Sequence, residues 1–213
     1  MLKEKLQLCL VTHLPDTSLK AYQQFILNAI SGGVTLIQFR EKKAPLTDIY
    51  AVAMALKAIL TPFNIPLIIN DHVEIAKAVD AAGVHLGQTD LDPQKARDIL
   101  GPDKWIGLSV ETFVDLAVAN QLTCIDYIGA SAVFPSRTKP DCKTIWGLEG
   151  LKRITGQSIH PVVAIGGINR QNIQQTMACG VDGVAVVGAI HNQLNARLAA
   201  IDLINAMQEK PHV

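Results

Sequence analysis

Short apolar runs alternate with segments of helical period along the whole chain. The runs at 6–12 (LQLCLVT), 34–39 (VTLIQF), 66–70 (PLIIN), 83–86 (GVHL), 105–109 (WIGLS), 127–131 (YIGAS), 161–165 (PVVAI) and 183–187 (GVAVV) read as buried strands. Between them lie amphipathic stretches such as TSLKAYQQFILNAISGG, LTDIYAVAMALKAIL and VEIAKAVDAAG, and a last helix is expected over about 194–208. Several of these stretches end at glycine, as a helix C-cap does. Strand–helix alternation predicts parallel strands. Eight such units predict an α/β fold of the (β/α)8 TIM barrel type, with residues 1–213 forming a single domain. A dinucleotide-binding open sheet would carry GxGxxG after its first strand, and this chain has Thr12-His13-Leu14-Pro15 there.

The composition agrees with a core of Val, Ile, Leu and Ala. Lys plus Arg and Asp plus Glu number 19 each, so no global field draws in a polyanion, and nucleic-acid binding is disfavoured. Any anion site has to be local. Cys9, Cys124, Cys142 and Cys179 show no CxxC or zinc spacing and read as free thiols of a reducing compartment. The N-terminus lacks a signal-peptide pattern, and no run reaches the roughly 18 uninterrupted apolar residues of a membrane helix. A soluble, cytoplasmic protein is expected, without membrane partners; assembly into a homo-oligomer is left open.

In a TIM barrel the chemistry sits at the C-terminal strand ends, and here polar residues interrupt the apolar runs at those ends. Strand 2 closes with Gln38-Phe39-Arg40-Glu41-Lys42, and alternation puts Gln38, Arg40 and Lys42 on one face and Ile37 and Phe39 on the other. A guanidinium facing the barrel mouth needs an anion or a carboxylate partner. Two cations this close suggest a polyanionic ligand, although a simple Arg40–carboxylate bridge would also fit. Strand 3 ends in Asn70-Asp71, where Asp71 could cap the next helix with Glu74 or could take part in the chemistry. After strand 4, Asp92-Pro93 is a natural N-cap and N1 pair, which leaves Asp90 without a helical duty. Two carboxylates at neighbouring strand ends, beside cations, can hold Mg²⁺ together with phosphate oxygens. His85 reads as a core or supporting histidine. Ser109 could cap a helix beginning near Glu111. The long loop after strand 6 carries Ser136, Arg137, Thr138 and Lys139, which could grip phosphate. Gly166-Gly167-Ile168 and Val187-Gly188-Ala189-Ile190 end strands 7 and 8, where backbone amides and a short helix bind phosphate in many barrels. The pattern thus predicts a metal-assisted diphosphate site at strands 2 to 4 and a monophosphate site at strands 7 and 8.

With the stretches GVTLIQFREK, LIINDHVEIA, GVHLGQTDLD, IGLSVET, VFPSRTKPD, VVAIGGI and GVAVVGAI in this order, the chain resembles the thiamine-phosphate synthases over nearly its whole length. The resemblance implies that Gln38, Phe39, Arg40, Glu41, Lys42, Asn70, Ser109 and Lys139 form the site for a hydroxymethylpyrimidine diphosphate. Arg40, Lys42, Ser109 and Lys139 would act on the reaction itself, and Asp71 and Asp90 would bind Mg²⁺. Ser136, Arg137, Thr138, Gly167, Val187 and Gly188 would hold a thiazole phosphate, with or without a ring carboxylate. His13, Ser136 and Gly188 depart from the usual residues of the family, and none of the three belongs to the metal or diphosphate set. Rival readings are a thiazole tautomerase-like isomerase, a barrel that binds thiamine precursors without turnover, and a phosphosugar epimerase. The isomerase needs no complete diphosphate set, and an epimerase would give Arg40, Lys42 and Lys139 no common anion.

Overall fold

The computed structural model describes residues 2–136 and 142–209. Strands β1 (Leu8–Thr12), β2 (Leu36–Phe39), β3 (Leu67–Asn70), β4 (Gly83–Leu86), β5 (Trp105–Val110), β6 (Tyr127–Ser131), β7 (Val162–Ile165) and β8 (Gly183–Val186) run in parallel. Each pairs with the next, and β8 pairs with β1, closing the (β/α)8 barrel predicted from the alternation. All eight expected strands are present, with ends within about two residues of the apolar runs that foretold them.

The returning helices are α2 (Leu19–Ser31), α3 (Leu46–Leu60), α4 (Val73–Ala78), α5 (Pro93–Leu100), α6 (Phe113–Ala119), α7 (Gly147–Gln157), α8 (Ile173–Met177) and α10 (Ala196–Gln208), with a short α9 (Gly188–His191) after β8. Asp92 caps α5 as expected, accepting from the N–H groups of Gln94 and Lys95. The start of the chain differs from expectation. Residues Leu2–Leu6 form a helix, α1, which takes in Leu6, the first residue of the apolar run at 6–12, so the strand begins at Leu8. Leu2 and Leu6 are spaced i, i+4, so one helical face packs both against the barrel interior, where Leu6 is fully buried.

Alternation along the strands separates two cores. Cys9, Val11, Leu36, Ile68, Tyr127, Val163 and Ala185 pack inside the barrel, while Leu8, Leu10, Ile37, Phe39, Leu67 and Ile69 face the helices. The apolar layer on both faces explains why these strands read as continuous hydrophobic runs. One stretch among the described residues, Leu46–Phe63, is long and apolar enough to cross a membrane by length and composition alone. Here it is a barrel helix, with Ile49, Ala53, Leu56 and Leu60 buried on one face and Asp48 and Lys57 within it. All four cysteines are free.

Candidate active site at the C-terminal rim

Inward parity delivers polar side chains from β2 to β6 into one cavity. It is lined by Gln38, Arg40 and Lys42 from β2 and its end, Asn70 and Asp71 from β3, His85 and Asp90 from β4 and its loop, and Ser109 and Tyr127 from β5 and β6. Gln38 and Asn70 are almost fully buried, and the Gln38 amide donates to Asn70 Oδ1 at 2.8 Å, satisfying both. Arg40 is half-buried, and its guanidinium has no carboxylate partner among the described residues. Among the described residues the simple Arg40–carboxylate bridge is therefore not formed, and Arg40 lines both cavities.

Lys42 instead pairs with Asp71, Nζ to Oδ2 at 2.8 Å. Asp71 does not cap α4: its φ is 64°, and His72 occupies the capping position. The carboxyls of Asp71 and Asp90 lie within hydrogen-bonding reach of each other. Burial, and then the neighbouring Asp90, raise Asp71 above the usual carboxylate range against the pull of Lys42. Burial opposes Asp90 too, but the hydrogen bonds from Asp71 and the Gly87 N–H, with the charge of Lys42, hold it below that range. The opposite directions follow from the two carboxyls lying side by side, where the second charge is harder to form than the first.

This donor set suits one kind of metal. Among the described residues no three His, Cys, Asp or Glu side chains cluster, so a closed zinc cage is not built. Two adjacent carboxyls beside a cavity that also holds cations fit Mg²⁺, which takes one or two carboxylates and fills its shell with water and phosphate oxygens.

A second cavity, of about 450 Å³, opens beside the first and shares Arg40, Val11, Ser131, Ile165 and Ala185 with it. Ser136, Gly167, Val187 and Gly188 meet here, together with Cys142, Asn192 and Gln193. Gly166 (φ 104°) and Gly167 (φ 64°) both take left-handed backbone. A Cβ on Gly167 would sit 2.7 Å from Phe134 Cβ and from the Pro135 carbonyl oxygen, so the loops after β6 and β7 can approach only because that atom is missing. Gly188 opens α9, whose first amides have no partner within the helix.

Not every expected residue reaches a cavity. Phe39 turns outward into the shell under the helices and is 1% exposed, so its side chain belongs to the core. Glu41 accepts from the N–H groups of Lys42 and Lys43 and organises the loop backbone; it lines neither cavity. Ser109 lies within β5, and α6 is capped by Thr112 with Asp115, so the capping role considered for Ser109 does not arise. Arg137, Thr138 and Lys139 lie outside the described residues. Tyr127, Ser131 and Cys142 had not been singled out as site residues. Strand parity was the available signal for the first two, since Tyr127, Gly129 and Ser131 alternate inward on β6.

Comparison with known proteins agrees with this geometry. The family model described as thiamine monophosphate synthase matches residues 8–190. A thiamine-phosphate synthase of Vibrio parahaemolyticus is 46% identical over 189 residues, covering 89% of this chain and 92% of the relative. One from Methanobrevibacter smithii is 40% identical over 205 residues, covering 96% and 97%. The solved structure of a thiamine phosphate pyrophosphorylase from Pyrococcus furiosus superposes with a TM-score of 0.86 at 35% identity, covering 98% of both chains. With one rim rich in cations and paired carboxylates, the other a glycine cradle, and relatives matched over nearly its whole length, this chain belongs to the thiamine monophosphate synthase family.

Proposed function

We propose that the chain joins 4-amino-2-methyl-5-hydroxymethylpyrimidine diphosphate to 4-methyl-5-(2-phosphoethyl)thiazole, or its carboxylated form, releasing thiamine phosphate and diphosphate in the cytoplasm. The observation that carries this reading is the convergence of Arg40, Lys42, Asp71 and Asp90 on one cavity, open to a second cavity built from glycine backbone. Asp71 and Asp90 would hold Mg²⁺, which supplies Lewis-acid neutralisation of the leaving diphosphate.

In this reading Arg40, Lys42 and Lys139 balance the charge that grows on the diphosphate as its bond to the pyrimidine methylene breaks. The resulting carbocation is stabilised by the ring amino group. Gln38, Asn70 and Ser109 orient the ring, and the cradle around Gly167, Val187 and Gly188, with Ser136, Arg137 and Thr138, fixes the thiazole through its phosphate. The thiazole nitrogen then captures the methylene carbon with its own lone pair, so the site needs no general base. Incubation with both precursors and Mg²⁺, followed by chromatography for thiamine phosphate, tests the proposal. Isomerisation of the thiazole without coupling would favour a tautomerase, and binding without turnover a non-catalytic barrel.

A further inference from the structure

The two cavities meet along a short border, and Val11, Arg40, Ser131, Ile165 and Ala185 line both of them. Strand register joins four of these into one arc. Ser131 on β6 pairs with Ile165 on β7, and Ile165 pairs with Ala185 on β8. Val11 follows on β1, whose Leu10 pairs with Val186 of β8. The other three members of the arc are aliphatic, so Ser131 gives it its polar side chain.

Ser131 is 5% exposed. A hydroxyl taken out of water costs stability unless it is well paired. The partner of Ser131 Oγ among the described residues is Cys142 Sγ, at 3.7 Å, and sulfur is a weak partner whichever atom donates. A hydroxyl has one hydrogen and two lone pairs. At least one lone pair on Oγ is therefore left over in either direction. Alanine, which the arc carries at 185, would line this wall without that cost. The backbone beneath the hydroxyl is held in place. Trp146 donates from Nε1 to the Ser131 carbonyl at 3.0 Å and from its backbone N–H to the Ala132 carbonyl at 2.9 Å. Its buried indole packs edge-on against Phe113, with 5.1 Å between ring centroids.

In the coupling reaction the methylene carbon leaves a diphosphate in the first cavity and joins a nitrogen held from the second. It carries positive charge as it crosses the border. The two polar side chains there suit opposite charges: Arg40 the departing diphosphate, and the Ser131 oxygen the carbon left behind. Donation from Ser131 to the thiazole nitrogen would be unproductive, because that lone pair forms the new bond.

We propose that Ser131 is a further catalytic residue, whose Oγ lone pair faces the methylene carbon in transit and stabilises its positive charge. This rests on the coupling reaction proposed above. Ser131→Ala removes one poorly paired oxygen, and its melting temperature checks that the fold is kept. At saturating substrates a single turnover by this variant should be about tenfold slower. Steady-state KM values for both substrates should stay within about twofold. A pyrimidine diphosphate whose ring carries an electron-withdrawing substituent forms the cation less readily. With it the Ser131→Ala penalty should be at least about threefold larger than with the parent substrate. An unchanged single-turnover rate, a loss confined to KM for the thiazole phosphate, or an equal penalty on both pyrimidines would overturn the proposal. A wild type that makes no thiamine phosphate fails the coupling reaction itself, whereas a competent wild type with an indifferent Ser131→Ala fails only the role given to Ser131.

Discussion

The two adjoining cavities at the C-terminal rim of this barrel are built from different materials. At β2 to β5 the cavity is lined by side chains: a half-buried guanidinium, a lysine, two adjacent carboxyls and a buried amide pair. At β7 and β8 it falls to backbone, with glycines that let loops approach and a helix that begins at the cavity wall. A side-chain site concentrates charge where charge develops in a reaction. A backbone site supplies neutral donors of fixed shape, suited to holding a group that does not change. In the proposed function the chemistry falls to the first cavity and the anchoring to the second, so the two should be sensitive to different substitutions.

The largest effect should follow loss of charge at the side-chain rim. Arg40→Ala is expected to cut diphosphate release at saturating substrates by roughly a hundredfold, about 3 kcal/mol in the barrier. Near-normal turnover by this variant would remove the division of labour between the rims. Gly167→Ala should act differently. It combines a left-handed φ with a Cβ that meets Phe134 and Pro135, so the loops must part. The expected result is a KM for the thiazole phosphate raised about tenfold and a lower melting temperature, at a cost of roughly 1–3 kcal/mol.

Asp71 offers a test in which stability and activity move in opposite directions. Its carboxyl is raised in the fold by burial and by Asp90. Its contribution therefore favours the fold below the ordinary carboxylate range and is lost as pH rises through the raised value. Metal-free Asp71→Asn should melt a few degrees above the wild type at neutral pH, since asparagine keeps a donor for Asp90 without the second charge. Its coupling activity should nonetheless fall steeply. Thermal scans across pH check the sign, because the advantage should shrink as acid protonates Asp71. The smallest effect is expected from Gly188→Ser. The new Cβ would meet the movable end of Asn192 at 2.9 Å, and the α9 amides stay in place. KM for the thiazole phosphate should change by less than about threefold.

The same contrast governs what could be read in the chain before the fold was seen. The eight strands were legible because strands buried on both faces write themselves as apolar runs. Arg40, Lys42 and Asp90 were legible because charge at the end of such a run has few structural explanations. Asp71 stayed ambiguous, since a carboxylate before a helix is also a cap; the left-handed backbone at that position decides against it. Phe39 and Glu41 were drawn in by their neighbours in the motif. Parity sends the Phe39 ring outward, and Glu41 folds back on the amides of its own loop. The partnership of His85 with Tyr127 was out of reach, because it joins residues 42 apart through two glycines that carry no pattern of their own.

The account stands on the diphosphate being held through a divalent cation by Asp71 and Asp90 beside Arg40. Calorimetric titration with the pyrimidine diphosphate, with and without Mg²⁺, measures this directly in the wild type and in Asp90→Asn. The wild type should bind at least about tenfold more tightly with Mg²⁺, and Asp90→Asn should lose that gain. Equal affinity in the presence and absence of the metal, or an undiminished gain in Asp90→Asn, would contradict it.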